Sequence, residues 1–381
     1  MKTEILITGD FCPINRNETF LLNGDYPSMF GEFTEYSRAA DLSITNLECP
    51  LTNETSKINK TGPCIKARIE ATNALDYANF NLVTLANNHI MDYGSEGLKD
   101  TLKALNAKNI HYVGAGGNLD EARKPYYYQN NGLKFGVLNF AENEFCTTQG
   151  DDYGANPLDP LSNFYDIQKL KKEVDYVIVI VHGGREHYQL PTPRIRKTFR
   201  FYIDAGADIV ISHHTHCFSG FEQYNDKLIF YGLGNFLFDY KKKYQIGNWT
   251  RGYGVRLNFE KNTPIDFKIL PYKQGQINSS SIRKLTTEEL ETFNFELGQL
   301  NEKIQDDELF FKSWHEYLDT QKNTYRDLLY IQNNYIRKLV SMKLFPRIYF
   351  RSRAHETLLL NLFKCETHHE ILTATIDKKL P

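Results

Sequence analysis

Residues 176–182 read Tyr176-Val177-Ile178-Val179-Ile180-Val181-His182. A run of β-branched aliphatic residues favours extended backbone. Because no polar residue alternates with them, both faces of the strand must be covered, as inside a layered α/β sheet. The strand Tyr176–Val181 then ends at His182, a side chain able to bind metal or move a proton.

Other apolar runs extend the pattern. Strands are expected at Glu4–Thr8, Leu42–Thr45, Leu82–Leu85, His111–Val113, Lys134–Asn139, Asp208–Ser212, Leu228–Tyr231, Tyr253–Asn258 and Ile265–Leu270. Between them, Ser95–Ala107, Ser162–Glu173 and Arg194–Ala205 carry helical spacing. Strands alternating with helices argue for a layered α/β domain. The polar stretch 274–281 reads as a linker, which divides the chain into a domain at 1–274 and a helical appendage at 282–381. Thr286-Thr287-Glu288-Glu289 offers a capping box at the start of the appendage. Tyr325, Leu328, Leu329, Gln332, Tyr335, Ile336, Leu339 and Val340 predict one helix with a polar interruption, ended by Pro346.

The composition excludes several classes. The 381 residues are 41% hydrophobic and include 25 Phe and 24 Tyr, enough to offset ordering entropy, so a disordered chain is excluded. Forty-five basic and 47 acidic residues leave a net charge of −2 and no global pull toward nucleic acid. Without a Gly-Lys dipeptide there is no Walker A loop, and without Gly-x-Ser-x-Gly there is no nucleophile elbow. The six Cys form no C-x-x-C and read as reduced, mostly buried thiols. Read from Met1, the chain is expected to have no signal peptide or membrane anchor and to work in the cytoplasm.

Five polar clusters fall where strands should end. They are Asp10, Asn46 with Glu48, Asn87-Asn88-His89, His182, and His213-His214-Thr215-His216. Ligands of open α/β sheets gather at the carboxyl ends of strands. A mixed Asp/Glu/Asn/His set suits borderline transition metals. Each cluster has a plainer reading: Asp10 as a turn residue, Glu48 as a solvated loop carboxylate, Asn87-Asn88 as an Asx turn, and the histidines as a surface group. His111, His187, His368 and His369 are read as structural.

The strings Gly9-Asp10, Thr45-Asn46-Leu47-Glu48, Leu85-Ala86-Asn87-Asn88-His89-Ile90-Met91-Asp92-Tyr93-Gly94, His182-Gly183-Gly184-Arg185-Glu186, His213-His214-Thr215-His216 and Tyr231-Gly232-Leu233-Gly234-Asn235-Phe236 resemble the CapA family. These are poly-γ-glutamate capsule biosynthesis proteins related to calcineurin-like metallophosphoesterases. The resemblance covers roughly residues 3–270. It implies a four-layer metallophosphatase-like α/β sandwich holding one or two divalent transition metal ions, Mn, Fe or Zn. Asp10 and His216 would serve one ion, Asn88, His182 and His214 the other, with Glu48 between them. His89 would be the general acid and Asp92 its orienting carboxylate. Glu186, Asn46 and Asn235 would contact substrate. The implied activity is metal-dependent hydrolysis of an anionic polymer or a phosphorylated small molecule; the other reading is a non-catalytic accessory of capsule assembly. Cys12 departs from the Asp-x-His pattern, leaving the first ion one protein ligand fewer.

Residues 337–353 hold Arg337, Lys338, Lys343, Arg347, Arg351 and Arg353 among apolar side chains and no acidic residue. They are read either as a helix pair packed on the catalytic domain with its basic side chains in water, or as a docking surface for an anionic membrane face, an acidic polymer or the capsule machinery.

Overall fold

The run at 176–182 is a central strand buried on both faces. The computed structural model describes residues 2–60, 62–331, 333–346 and 352–364. Its first eight strands are Lys2–Cys12 (β1), Leu42–Leu47 (β2), Leu82–Thr84 (β3), His111–Val113 (β4), Ala115–Gly116 (β5), Tyr126–Asn130 (β6), Leu133–Ala141 (β7) and Gly154–Ala155 (β8). Then come Tyr176–His182 (β9), Ile209–His213 (β10), Phe221–Tyr224 (β11), Lys227–Phe230 (β12), Asn235–Phe238 (β13), Arg251–Glu260 (β14), Asp266–Lys273 (β15) and Arg283–Lys284 (β16).

Two large sheets form. One has the order β16-β15-β14-β1-β2-β3-β4, with β13 also paired to β1; the other has the order β11-β12-β10-β9-β7-β6. β1 to β4 run parallel, as do β7, β9, β10 and β12. The sheets share an apolar layer that includes Ile5, Ile7, Ile44 and Val255 from one side and Phe135, Ile178, Ile180 and Ile211 from the other. On the outer faces, Val177, Val179 and Val181 pack with Phe199, Tyr202 and Leu170 of the helices Pro193–Ala205 and Pro160–Lys171. Phe11, Phe30, Leu75 and Leu98 pack on the opposite side. Alternate residues of 177–181 therefore face different cores, and the run needs no polar alternation. The result is helix, sheet, sheet, helix: the four-layer sandwich.

Every strand expected from sequence coincides with an observed one, with ends shifted by up to a few residues. Short or polar strands escaped notice, among them β6 and β13. β13 pairs with the far end of β1, where Asp10 lies opposite Asn235.

The appendage differs from expectation. Chain contacts divide the protein into two compact units, one ending at Phe311 and the other starting at Lys312. The 274–281 stretch is not a free linker. Gln274 is buried and accepts a hydrogen bond from Phe238 N, and β16 adds to β15. The helix Thr287–Gln305 begins with the expected capping box, and its Phe293 and Leu297 enter the layer between the sheets. Residues 282–311 thus belong to the α/β unit, because their apolar side chains complete its core. Further on, one expected helix is two, Asp307–Tyr330 and Asn334–Ser341. Asn333 caps the second by accepting from Tyr335 N and Ile336 N. That helix stops at Ser341, before Pro346 is reached. Lys338 and Lys343 are exposed, whereas Arg347, Arg351, Cys365, His368 and His369 lie outside the described residues.

Phe293→Ala should lower the unfolding free energy by about 3–5 kcal/mol in chemical denaturation, the cost of emptying an aromatic site in a packed core. A loss under about 1 kcal/mol would place this helix outside the core.

Candidate metal centre

Both sheets deliver side chains to one rim. Asp10 lies near the end of β1, Asn46 near the end of β2 with Glu48 just beyond, and Asn87, Asn88 and His89 follow β3. From the second sheet, His182 ends β9, and His214 and His216 follow β10. All are buried; Glu48 and Asp10 are 0% exposed.

Close backbone approach sets the first position. Asp10 N donates to Gly234 O over 3.2 Å, and a Cβ on Gly9 would meet that oxygen at 1.8 Å. Glycine is required at position 9 because no side chain fits there. Backbone conformation sets others: His214 and His216 adopt φ of 88° and 52°, a region non-glycine residues seldom occupy and which costs on the order of 1–3 kcal/mol each.

Two triads result. Glu48, His182 and His214 form one, and Asp10, Glu48 and His216 the other; within each, one donor atom per residue lies within 4.8 Å of the others. Glu48 is common to both. His182 Nε2 is 3.4 Å from Glu48 Oε1, 3.1 Å from His214 Nδ1 and 3.1 Å from Asn88 Oδ1. His216 Nε2 is 3.7 Å from Glu48 Oε1, and its Nδ1 is 3.8 Å from Asp10 Oδ2. Among the described residues, neither Glu48 oxygen has a hydrogen-bond partner. A buried carboxylate left in this way is costly, and a divalent cation is what this cluster fits. The oxygen and imidazole donors suit a borderline transition metal.

Electrostatics agree. Burial, then Asp10 and Glu186, pushes the Glu48 carboxyl well above its usual range. Burial raises Asp10 to about 7 against the hydrogen bond from Asn46. Burial first, then neighbouring histidines, holds His182 and His216 well below the usual imidazole value, which favours the neutral rings that can offer a nitrogen lone pair to a cation. Cys12 is no part of either triad. Burial, with Cys49 beside it, raises its thiol well above normal, which keeps it protonated.

Beside the triads sits a dyad. His89 Nδ1 is 2.7 Å from Asp92 Oδ2, which also accepts from Ile65 N. Asp92 does not cap the next helix: Gly94–Ala107 has Tyr93 at its N-cap and no side-chain cap. The plainer Asx-turn reading holds for Asn87, whose Oδ1 accepts from His89 N.

Two residues expected to touch substrate are committed elsewhere. Asn46 donates Nδ2–H to Asp10 Oδ1 over 2.7 Å and lies 3.2 Å from His182 Nδ1, while its Oδ1 accepts from Thr84. Asn235 Oδ1 lies 2.9 Å from His216 Nδ1, and its Nδ2–H is used by Trp249 O. Both are 0% exposed, and their amides are taken up by Asp10, Thr84, Trp249 and the rings of His182 and His216. Glu186 is half-buried and close enough to Glu48 to help raise its carboxyl.

Sequence reasoning missed Lys60. Its side chain is 3% exposed, and Nζ donates to Asp92 Oδ1 at 2.5 Å and to Asn88 O at 2.8 Å. It sits in the irregular stretch between β2 and the helix Ala71–Tyr77, where no periodicity marks it. Trp249 was missed too; its ring lies 4.6 Å from that of His216. His213 joins the two sheets through its Nε2, 2.9 Å from Thr8 O, and is in neither triad.

The family model for the bacterial capsule synthesis protein PGA_cap matches residues 4–240. The chain belongs to the PGA_cap family. It is 33% identical over 264 residues to the PGA biosynthesis protein CapA of Bacillus subtilis (strain 168), covering 68% of each chain. It is 32% identical over 232 residues to the capsule biosynthesis protein CapA of Bacillus anthracis, covering 58% of this chain and 55% of that one. A solved structure of a hypothetical protein from Thermus thermophilus aligns with a TM-score of 0.44 at 16% identity, over 71% of this chain and 99% of that one. The PGA_cap match contains both triads and the His89–Asp92 dyad; Trp249 lies beyond its end.

Because burial raises both the Asp10 and the Glu48 carboxyl and a cation favours their charged forms, binding of Mn2+ or Zn2+ at pH 7 should release protons. Affinity should rise with pH through about 7, the direction set by both raised carboxyl values. Calorimetry in buffers of different ionisation heat reads this directly, and zero net release contradicts the assignment. Gly9→Ala should lower metal content by moving Asp10, with the far-UV spectrum unchanged.

Proposed function

We propose that the protein is a metal-dependent hydrolase of capsule or surface-polymer biosynthesis, acting on an anionic polymer of the poly-γ-glutamate type or on a phosphorylated small molecule. The observation that carries this is Glu48, buried without a hydrogen-bond partner and shared by two histidine-containing triads beside a His–Asp dyad. Bound divalent ions would supply Lewis-acid polarisation and a nucleophilic water at neutral pH.

The chain's own residues do the rest. Asn46 and Asn235 orient Asp10, His182 and His216. The Nδ1–H of His89 donates to Asp92, which leaves Nε2 as the atom that exchanges a proton with a leaving group. Burial lowers the His89 pKa, opposed by Asp92 and reinforced by Lys60. An anionic substrate would add negative charge beside the ring and so raise its pKa toward the value a general acid needs.

The departure at Cys12 supports a second reading, a non-catalytic accessory of capsule assembly. With a buried thiol in place of a ligand, the Asp10 triad is one donor short. Metal content and turnover separate the two.

The setting we infer is the cytoplasm beside membrane-bound capsule machinery. Among the described residues, no helix is long and apolar enough to cross a membrane. Lys338 and Lys343 are exposed, which supports contact of residues 337–353 with an anionic surface; co-sedimentation with anionic vesicles at low and high salt tests it.

His89→Gln should cut hydrolysis of an aryl phosphate or of poly-γ-glutamate by about 10²–10⁴-fold, the usual worth of a general acid, at unchanged metal content. His182→Ala and His214→Ala should each lose metal. Metal-loaded wild-type protein that hydrolyses neither substrate would favour the accessory reading.

A further inference from the structure

The segment between β13 and β14 leaves the sheet and returns to the metal centre. At one end, Asp239 pairs with Arg16 at 2.6 Å, and its carbonyl accepts from Asn15 Nδ2. At the other, Trp249 Nε1 donates to Phe238 O. Tyr244 lies 4.7 Å from the Trp249 ring and stacks on His187 at 5.4 Å. The loop is thus pinned by aromatic rings to the side of His216.

Between these anchors run Lys241, Lys242 and Lys243, all exposed. Among the described residues none of the three is ion-paired. Lys241 Nζ lies 5.1 Å from the Tyr240 ring centroid and Lys243 Nζ 4.5 Å from that of Tyr244, contacts that steer an ammonium group without neutralising it. Lys242 and Lys243 open the 3-10 turn Lys242–Tyr244, and Lys241 precedes it in extended conformation.

On the same loop opens a groove of about 670 Å3, lined among others by Gln245, Ile246, Thr250, Arg251, Lys273 and Arg283. Arg251 pairs with Glu296, but Lys273 and Arg283 share the single carboxylate of Glu289. The lining is left with one unbalanced positive charge, on a segment that continues directly from the three lysines through Gln245 and Ile246.

We propose that this loop and groove form a docking site for a linear polycarboxylate, on the segment whose Trp249 packs against His216 of the metal centre. The proposal rests on the capsule-polymer reading above and adds the residues that would recognise the polymer. One exposed lysine holds one carboxylate weakly. Three in a row act together only on a ligand that carries several carboxylates, because each further contact is intramolecular.

The chain has two tryptophans, Trp249 and Trp314, so Trp314→Phe leaves the loop's own residue as the fluorescent reporter. Poly-γ-glutamate should bind at low salt and change Trp249 emission, with free glutamate at equal carboxylate concentration giving no response. Changing Lys241, Lys242 and Lys243 together to Gln should weaken polymer binding at least about tenfold. The slope of log K against log salt should fall by about two, at roughly 0.7 per contact on a flexible polyanion. Metal content of this variant, unchanged, shows that the fold survives. Equal binding by the variant, binding without a Trp249 response, no binding by wild type, or tighter binding of polyphosphate at equal charge each overturns the proposal. His214→Ala separates it from the hydrolase reading: this variant should lose metal and keep the polymer. If wild-type protein turns nothing over while polymer binding still depends on the lysines, the hydrolase reading falls and the docking site stands.

Discussion

Everything at the rim depends on the apolar layer between the two sheets. Ile5, Ile7 and Ile44 meet Ile178, Ile180 and Ile211 there, and this contact brings the carboxyl ends of β1 and β2 against those of β9 and β10. Without it, Asp10 and Glu48 would belong to one sheet and His182, His214 and His216 to another. The layer also supplies the energy to bury them. Each fully buried aliphatic side chain contributes about 1.5–3 kcal/mol, while a buried charge costs several even after relaxation. A layer of this size can hold two carboxylates out of water, which a small core could not.

Burial then defines the chemistry. The same desolvation that lifts Asp10 and Glu48 keeps His182 and His216 neutral, so acids and bases both move toward the forms with the least charge. A cation reverses that balance in one step by giving every donor a partner. The amides of Asn46 and Asn235 prepare the donors by fixing ring and carboxylate orientations. The left-handed backbone at His214 and His216 turns the chain sharply, so that two side chains close in sequence reach different triads. Strain and desolvation stored at one rim are tolerable because the surrounding sheets over-determine it.

Much of this was legible in the residues. The run 177–181 declared a doubly buried strand because its β-branched residues leave no face for water. Polar residues placed after such runs marked the rim, since strand ends are where an α/β sheet exposes side chains to a shared space. The family strings added the division of ligands into two groups around Glu48, and the geometry arranges those residues accordingly. Lys60 could not be found this way. It lies in a stretch with no periodicity, and its meaning comes from Asp92, 32 residues away. The hydrogen bonds of Asn46 and Asn235 to Asp10 and to the rings of His182 and His216 were hidden for a related reason: an amide is equally suited to substrate and to neighbours, and sequence does not say which neighbours it has.

The boundary near residue 274 shows the same limit. A polar, serine-rich stretch looks like a linker from its composition, yet Gln274 is buried and its neighbours lead into β16. What the amino-acid sequence determined by itself was local: which segments prefer strand or helix, where the capping box starts a helix, which side chains can bind a metal. Those properties follow from covalent structure and from the period of apolar residues. Only the tertiary structure decided which polar groups would lose their water, which amides would face ligands, and which helix would complete the core. These are effects of through-space neighbours, and a carboxylate's pKa or an asparagine's role has no value until the neighbours are in place.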